Sequence, residues 1–191
     1  MNIINKKTLI IFTLAIFFQV LNVSLKAADV SEIDNEELPA QDPFQGGTIE
    51  TTVDQMVELI ENLNFDRVVA VESRGFVFAS AIAYKLTKSL ILIRKKNKLP
   101  ADTFSEDFEL EYGKATIEIH KDSIKKNEKV IIIDDLIATG GTARAAAKLV
   151  EKSGGKIECF VFVINLFDLG GKDLLKKQSY KTLSLIDFPG H

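Results

Sequence analysis

One cysteine, two histidines and a net charge of only −3 leave this 191-residue chain short of what disulfide, metal or nucleic-acid chemistry requires. Cys159 alone excludes an intrachain disulfide. Its place in the apolar run Cys159-Phe160-Val161-Phe162-Val163-Ile164 marks a buried thiol rather than a nucleophile. His120 and His191 are distant in sequence and do not suggest a metal site. His120 alternates with Thr116 and Glu118 on the polar side of a strand-like run, where solvent is expected. The small net charge gives no footing for a nucleic-acid partner, and no internal repeat implies an array. A hydrophobic content of 46% excludes a disordered protein, and the length allows one domain with a good core plus a tail.

What is present is organised around Val130 to Thr142. Val130-Ile131-Ile132-Ile133 reads as a fully buried strand, which Asp134-Asp135 should end. The loop Ala138-Thr139-Gly140-Gly141-Thr142 follows. Ala143, Ala146, Ala147 and Val150 then recur at the spacing of one helical face. Backbone N–H groups of such a loop, at the positive end of a helix, can converge on a phosphate, and glycine permits the close approach. Beside a phosphate two carboxylates repel the ligand unless they meet hydroxyls or a cation. A phosphorylated sugar with Mg²⁺ supplies both. The stretch is neither a Gly-x-x-x-x-Gly-Lys-Ser/Thr loop nor a Gly-x-Gly-x-x-Gly fingerprint. The plainer alternative is a buried strand closed by two acids and a glycine turn.

Elsewhere the layout repeats. Arg67 to Val71 reads as a short buried strand running into Glu72-Ser73-Arg74-Gly75-Phe76, with an alanine-rich helix to about Leu86. Ser73, Arg74 and Gly75 are candidate anion ligands; the alternative is an arginine paired with a neighbouring carboxylate. The strand Leu90 to Ile93 ends in Arg94-Lys95-Lys96-Asn97-Lys98-Leu99-Pro100, either a solvated edge or electrostatic ligands for a diphosphate. Residues 101–109 are polar and uneven, the composition of a mobile lid. Ala115 to His120 alternates as a strand, Asn127 marks a turn, Gly154-Gly155 stops the central helix, and Glu158 to Asn165 forms a further strand. Before them, Thr52 with Gln55 suggests a capping box opening a helix to about Asn62. Strands alternating with helices predict an α/β fold with a mainly parallel central sheet, flanking helices and ligands at the strand C-termini.

The N-terminus stands apart. Lys6-Lys7, an apolar stretch from Thr8 to about Leu25 and Lys26-Ala27-Ala28 describe a signal peptide. An uncleaved membrane anchor through residues 8–25 or a soluble helix are the alternatives. Asp29 to about Glu50 is acidic, carries Pro39, Pro43, Gly46 and Gly47, and reads as a linker or irregular arm. The division is therefore 1–28 signal-like, 29–52 linker and 53–191 functional domain.

From about Val53 to His191 the motifs resemble the type I phosphoribosyltransferases in order and spacing. Asp-Asp-Leu-Ile-Ala-Thr-Gly-Gly-Thr, Glu-Ser-Arg-Gly-Phe, Arg-Lys-x-x-Lys-Leu-Pro, Leu110-Glu111-Tyr112-Gly113-Lys114, Leu166 to Gly171 and the ending Asp187-Phe188-Pro189-Gly190-His191 are closest to the adenine-specific members. The resemblance implies a type I phosphoribosyltransferase fold and a homodimer. It implies transfer from 5-phosphoribosyl 1-pyrophosphate (PRPP) to adenine, with Mg²⁺ carried by PRPP and no direct protein ligand. Asp134 and Asp135 would meet the ribose hydroxyls, Ala138, Thr139, Gly140, Gly141 and Thr142 the 5′-phosphate. Ser73, Arg74, Gly75, Arg94, Lys95 and Lys98 would meet pyrophosphate, and Glu111 would be the acid/base at purine N7. Phe108 stands where relatives often carry tyrosine. Residues 29–52, an acidic linker or a divergent form of the family's base-covering hood, lack its Gly-Ile-x-Phe-Arg-Asp phrase, so base-binding residues are unassigned. Another purine substrate, or a non-catalytic PRPP- or nucleotide-binding protein, are the alternatives. A cytosolic PRPP supply and an export-like leader conflict over location.

Overall fold

The computed structural model describes residues 48–110 and 113–190, and divides at Gln55/Met56 into two units, the first represented by residues 48–55 alone. Residues 1–47 lie outside the described residues, and with them the signal-peptide and most of the linker expectation. Among the described residues no helix is long and apolar enough to cross a membrane. Helix α1 (Ile49–Ile60) starts three residues before the expected cap. Thr48, not Thr52, caps it: the Thr48 hydroxyl accepts the Thr51 N–H at 3.1 Å, and Thr52 donates its hydroxyl back to the Thr48 carbonyl at 3.3 Å.

The second unit is built on a seven-stranded sheet. Its strands are β1 (Arg67–Val71), β2 (Ser89–Lys95), β3 (Thr103–Leu110), β4 (Gly113–His120), β5 (Lys129–Ile137), β6 (Lys156–Leu166) and β7 (Thr182–Phe188). They lie in the order β3-β4-β2-β1-β5-β6-β7. The five from β2 to β7 pair in parallel, while β4 joins β2 and β3 joins β4 antiparallel. Helices α2 (Gly75–Lys85), α3 (Gly141–Lys152) and α4 (Gly171–Lys177) supply the crossovers. This is the α/β arrangement the alternating pattern predicts.

Central strands flanked by neighbours on both edges and covered on both faces must be apolar throughout, which explains Val68 to Val71 and Val130 to Ile133, all buried. Ala143, Ala146, Ala147 and Val150 of α3 face that core as their spacing requires, joined by Ala145 and Leu149. Phe160 and Phe162 stack at 6.2 Å on β6. Between them and the strand start, Cys159 is fully buried and donates to the Phe160 carbonyl at 3.1 Å; desolvation pushes its thiol up to about 12, so no thiolate forms near neutrality.

Three expectations change. Residues 101–109 are not an irregular lid: β3 pairs with β4 from Thr103↔His120 to Leu110↔Gly113. Polar composition hid this strand because much of its anchorage is long-range and ionic. Glu106 takes Lys148 of α3 at 2.6 Å and also Lys152, Thr116 donates to Asp107 at 2.7 Å, and Phe108 is buried. The two lysines, Lys148 first, hold Glu106 below the usual carboxylate range. Second, β5 does not end at Asp134-Asp135 but continues to Ile137 along β6. Third, the polar side of β4 is not simply solvated: Glu118 is only 6% exposed and His120 is half-buried, with its Nδ1 enclosed and unpartnered.

At the end of the sheet opposite the strand C-termini, Arg67 at the start of β1 holds Glu128 just before β5, Nε to Oε2 at 2.7 Å and Nη2 to Oε1 at 3.0 Å. That guanidinium lowers the Glu128 carboxyl. A depressed folded value contributes stability above the ordinary carboxylate range and loses it as pH falls through the folded value. Glu128→Gln is expected to lower thermal stability near pH 7 by about 1 kcal/mol. The difference from the parent should close as the pH falls through the folded value of Glu128. A difference independent of pH in thermal melts would contradict the assignment.

Candidate active site

The sheet opens where one strand outlasts its neighbour. β1 pairs with β5 only as far as Ala70↔Ile133, then turns away after Val71 into Glu72-Ser73-Arg74. β5 continues through Asp134 and Asp135 with β6 alone beside it. The chain leaves β1 toward β2 on one side and β5 toward β6 on the other, so the strand order reverses here. A ligand crevice forms at such a point. A cavity of about 490 Å³ occupies it, lined by Glu72 to Arg74, Lys95, Asp134 to Ala143 and Phe162.

One wall is the turn into α3. Gly140 adopts φ +81° at the helix N-cap, and no side chain caps the first turn, so its N–H groups remain available to an anion. The turn is backed by Gly171, whose N–H donates to the Ala138 carbonyl at 2.9 Å; a Cβ there would collide with that same carbonyl oxygen. The glycine pair at 170–171 thus supports the loop from behind.

The opposite wall is the loop after β1. Gly75 is buried under it, where a Cβ would lie 2.7 Å from the Ile133 carbonyl and 3.0 Å from Asp134 Oδ1. That close approach lets Arg74 reach Asp135, Nε to Oδ2 at 2.7 Å. Asp134 accepts the Asp135 N–H at 2.9 Å. Desolvation, and then the adjacent Asp135 charge, push the Asp134 carboxyl well above its ordinary range.

Of the residues predicted from sequence, the cavity brings together Ser73, Arg74, Lys95, Asp134, Asp135, Ala138, Thr139, Gly140, Gly141 and Thr142. Gly75 acts from beneath rather than as lining. Arg94 is turned to protein partners, Nε to Glu72 Oε2 at 3.3 Å and Nη1 to the Lys98 carbonyl at 3.3 Å, while the Lys98 side chain is exposed and does not line the cavity. Glu111 lies outside the described residues. Glu72 went unassigned in the sequence. Although burial pushes its carboxyl up, the Lys95 N–H at 2.8 Å and Arg94 outweigh this and hold it below the usual range. An acid directly preceding an anion loop, with cations one strand away, is the feature by which it was identifiable.

Helix N-terminal N–H groups, the two cations Arg74 and Lys95 and the three acids Glu72, Asp134 and Asp135 thus surround one crevice at a strand-order reversal, an arrangement suited to a sugar phosphate. Residues 47–190 match the phosphoribosyl transferase domain, and the chain belongs to that family. Among the proteins it is similar to are adenine phosphoribosyltransferases. The enzyme of that name from Pelagibacter ubique (strain HTCC1062) is 65% identical over 142 residues, 74% of this chain and 81% of the relative. The crystal structure of the Thermoanaerobacter pseudethanolicus adenine phosphoribosyltransferase superposes with a TM-score of 0.70 at 41% identity, covering 73% of this chain and 80% of that one. The Saccharomyces cerevisiae enzyme, solved with an imino-altritol bisphosphate and adenine, gives 0.67 at 34% identity, covering 76% and 82%.

A group whose folded value is raised contributes stability at low pH that is lost as pH rises through that value. Asp134→Asn, which keeps an acceptor for the Asp135 N–H, is expected to raise the melting temperature of the ligand-free protein by about 2–4 °C at neutral pH. The gain should grow as the pH rises above the ordinary carboxylate range toward neutrality. A lower melting temperature across that range would refute the raised Asp134 value.

Proposed function

We propose that this chain transfers the phosphoribosyl group of PRPP to adenine, forming AMP and pyrophosphate. The observation that carries the reading is the single crevice in which an uncapped helix N-terminus, the Arg74–Asp135 pair, Lys95 and Asp134 face one another. Relatives named for this activity support it.

In this reading the Ala138–Thr142 N–H groups and hydroxyls hold the 5′-phosphate, fixing the ribose by its far end. Asp134 and Asp135 accept the ribose hydroxyls, which take the place of the arginine now held by Asp135. Arg74 is thereby freed to meet the departing pyrophosphate beside Ser73 and Lys95. As the bond from the ribose C1 to pyrophosphate breaks and adenine N9 attacks, positive charge at C1 and negative charge on the leaving group develop together. The fixed cations answer the second, and the two carboxylates stabilise the sugar. Arg94 and Lys98 contribute by shaping the turn and by their field rather than as cavity walls. Glu111 handles the purine N7 proton.

The donor set suits Mg²⁺ as a passenger: Asp134 and Asp135 are hard oxygen donors that would meet its hydration shell, and among the described residues no group of three or more acids, histidines or cysteines forms a cage for it. Bound with PRPP, the ion would neutralise pyrophosphate as it leaves. We also propose the homodimer implied by family resemblance; Val77 and Tyr84 stand 37% and 89% exposed on α2 and are consistent with a covered face. The division into 1–28, 29–52 and 53–191, with a signal-peptide-like leader, is likewise a proposal.

A purine screen with PRPP and Mg²⁺ tests the reading, with AMP formation from adenine as the expected result. Turnover only on another purine would reassign the base, and PRPP binding without turnover on any purine would leave a binding protein. Glu111→Gln is expected to lower kcat by about 10²-fold or more with PRPP affinity near normal. Asp134→Asn combined with Asp135→Asn should weaken PRPP binding, read by titration calorimetry; unchanged affinity would remove the ribose role.

A further inference from the structure

We infer that Glu118 is a positioning residue for the diphosphate, setting the cationic turn after β2 through the backbone of Asn97; the inference rests on the phosphoribosyl-transfer reading above. Glu118 stands in the middle of β4, opposite Arg94 of β2 on one side and Ser105 of β3 on the other. It is 6% exposed, and among the described residues no ion pair reaches it. Its Oε2 accepts the Asn97 N–H at 3.0 Å and its Oε1 the Ser105 hydroxyl at 3.2 Å.

A buried carboxylate is a costly choice beside a site for a polyanion, because its charge opposes the ligand. Its value must then lie in what it holds. Asn97 adopts φ +64°, a left-handed turn that asparagine accommodates and that aims its N–H at Glu118. The turn is pinned at four consecutive positions: Lys95 N–H by Glu72, Lys96 N–H by the Thr116 carbonyl at 3.1 Å, Asn97 N–H by Glu118, and the Lys98 carbonyl by Arg94. Lys95 is the one residue of this turn that lines the cavity. Of the four pins, Glu118 and Thr116 also grip β3, Thr116 through Asp107 and Glu118 through Ser105, and Glu118 alone does both with one buried carboxylate, so it fixes the height of the lysine turn against the hairpin.

The role is one of reach, not of charge, and that distinction is testable in the full-length protein. Glu118→Asp keeps the charge but withdraws the acceptor by one methylene, whereas Glu118→Gln removes the charge and keeps an acceptor in place. Glu118→Asp and Glu118→Ala are expected to raise the KM for PRPP about tenfold while leaving the KM for adenine within about twofold. Glu118→Gln should stay within about threefold of the parent for PRPP, since it also removes an opposing charge. Equal impairment by Asp and Gln, loss confined to Gln, or parallel rises in both KM values would overturn the inference. Should the alanine variant not fold, the contrast between Asp and Gln decides. Should the parent turn over no purine, the functional reading fails by itself, and titration of Mg²⁺-pyrophosphate into the same variants still reads Glu118.

Discussion

The contact on which this site depends is the 2.7 Å ion pair between Arg74 and Asp135. A ligand that is both sugar and diphosphate needs acids and cations in one small space, and those groups must tolerate each other before it arrives. Arg74 and Asp135 meet because β1 stops at Val71 while β5 runs on to Ile137, leaving the acidic end of β5 open on the side where the arginine loop turns. Gly75 permits the loop to close over the strand, since any side chain there would strike Ile133 and Asp134. A strand that ends early, a glycine beneath it and an arginine at its tip form one device.

Behind the cations stands a second set of carboxylates, each held by donors of the protein. Glu72 takes Arg94 and the Lys95 N–H, Glu118 takes Asn97 and Ser105, and Glu106 takes Lys148 and Lys152. The last of these fastens β3 to α3, the helix whose first turn is the proposed phosphate cradle. The hairpin lies close enough that a Cβ on Gly141 would sit 3.2 Å from the Glu109 carbonyl. The hairpin, the lysine turn and the phosphate helix are thus tied to one another by acids that do not themselves need to touch ligand. A displacement of any one is felt by the others, which is how a site assembled from three separate chain segments keeps ångström-scale geometry.

Much of this was legible in the sequence, for a definite reason. Val130 to Ile133 and Arg67 to Val71 are buried on both faces and must be continuous apolar runs, and Ala143, Ala146, Ala147 and Val150 must share a helix face; local pattern and tertiary role coincide. The loops at their ends are legible because glycine and small hydroxyl residues are required there. What was not legible depends on distant partners. β3 looks like a polar lid because Glu106 and Asp107 find their partners on α3 and β4. Glu118 looks solvated because alternation reports which face a residue takes, not whether the turn at Asn97 will cover it. Thr48 was passed over as a cap because Thr52 offered a capping-box spacing that the helix start overrode. The partners of Arg94 in the folded chain, Glu72 and the Lys98 carbonyl, are likewise distant or conformational and leave no mark in the local pattern.

The electrostatics separate these two kinds of acid. Glu72, Glu106, Glu128 and Asp187 are held below their ordinary range by protein donors and therefore add to stability near neutral pH. Asp134 moves the other way, because desolvation and Asp135 outweigh the Arg74 charge and the N–H it accepts. A fold selected for stability alone would not retain two adjacent acids with so little to neutralise them at the end of its central strand. The cost is sustained only if something outside the chain supplies what the fold withholds, and ribose hydroxyls with a passenger cation are chemically suited to do so. The raised Asp134 thus points to the side of the crevice that is incomplete without ligand, and the lowered acids point to the scaffold that keeps it so.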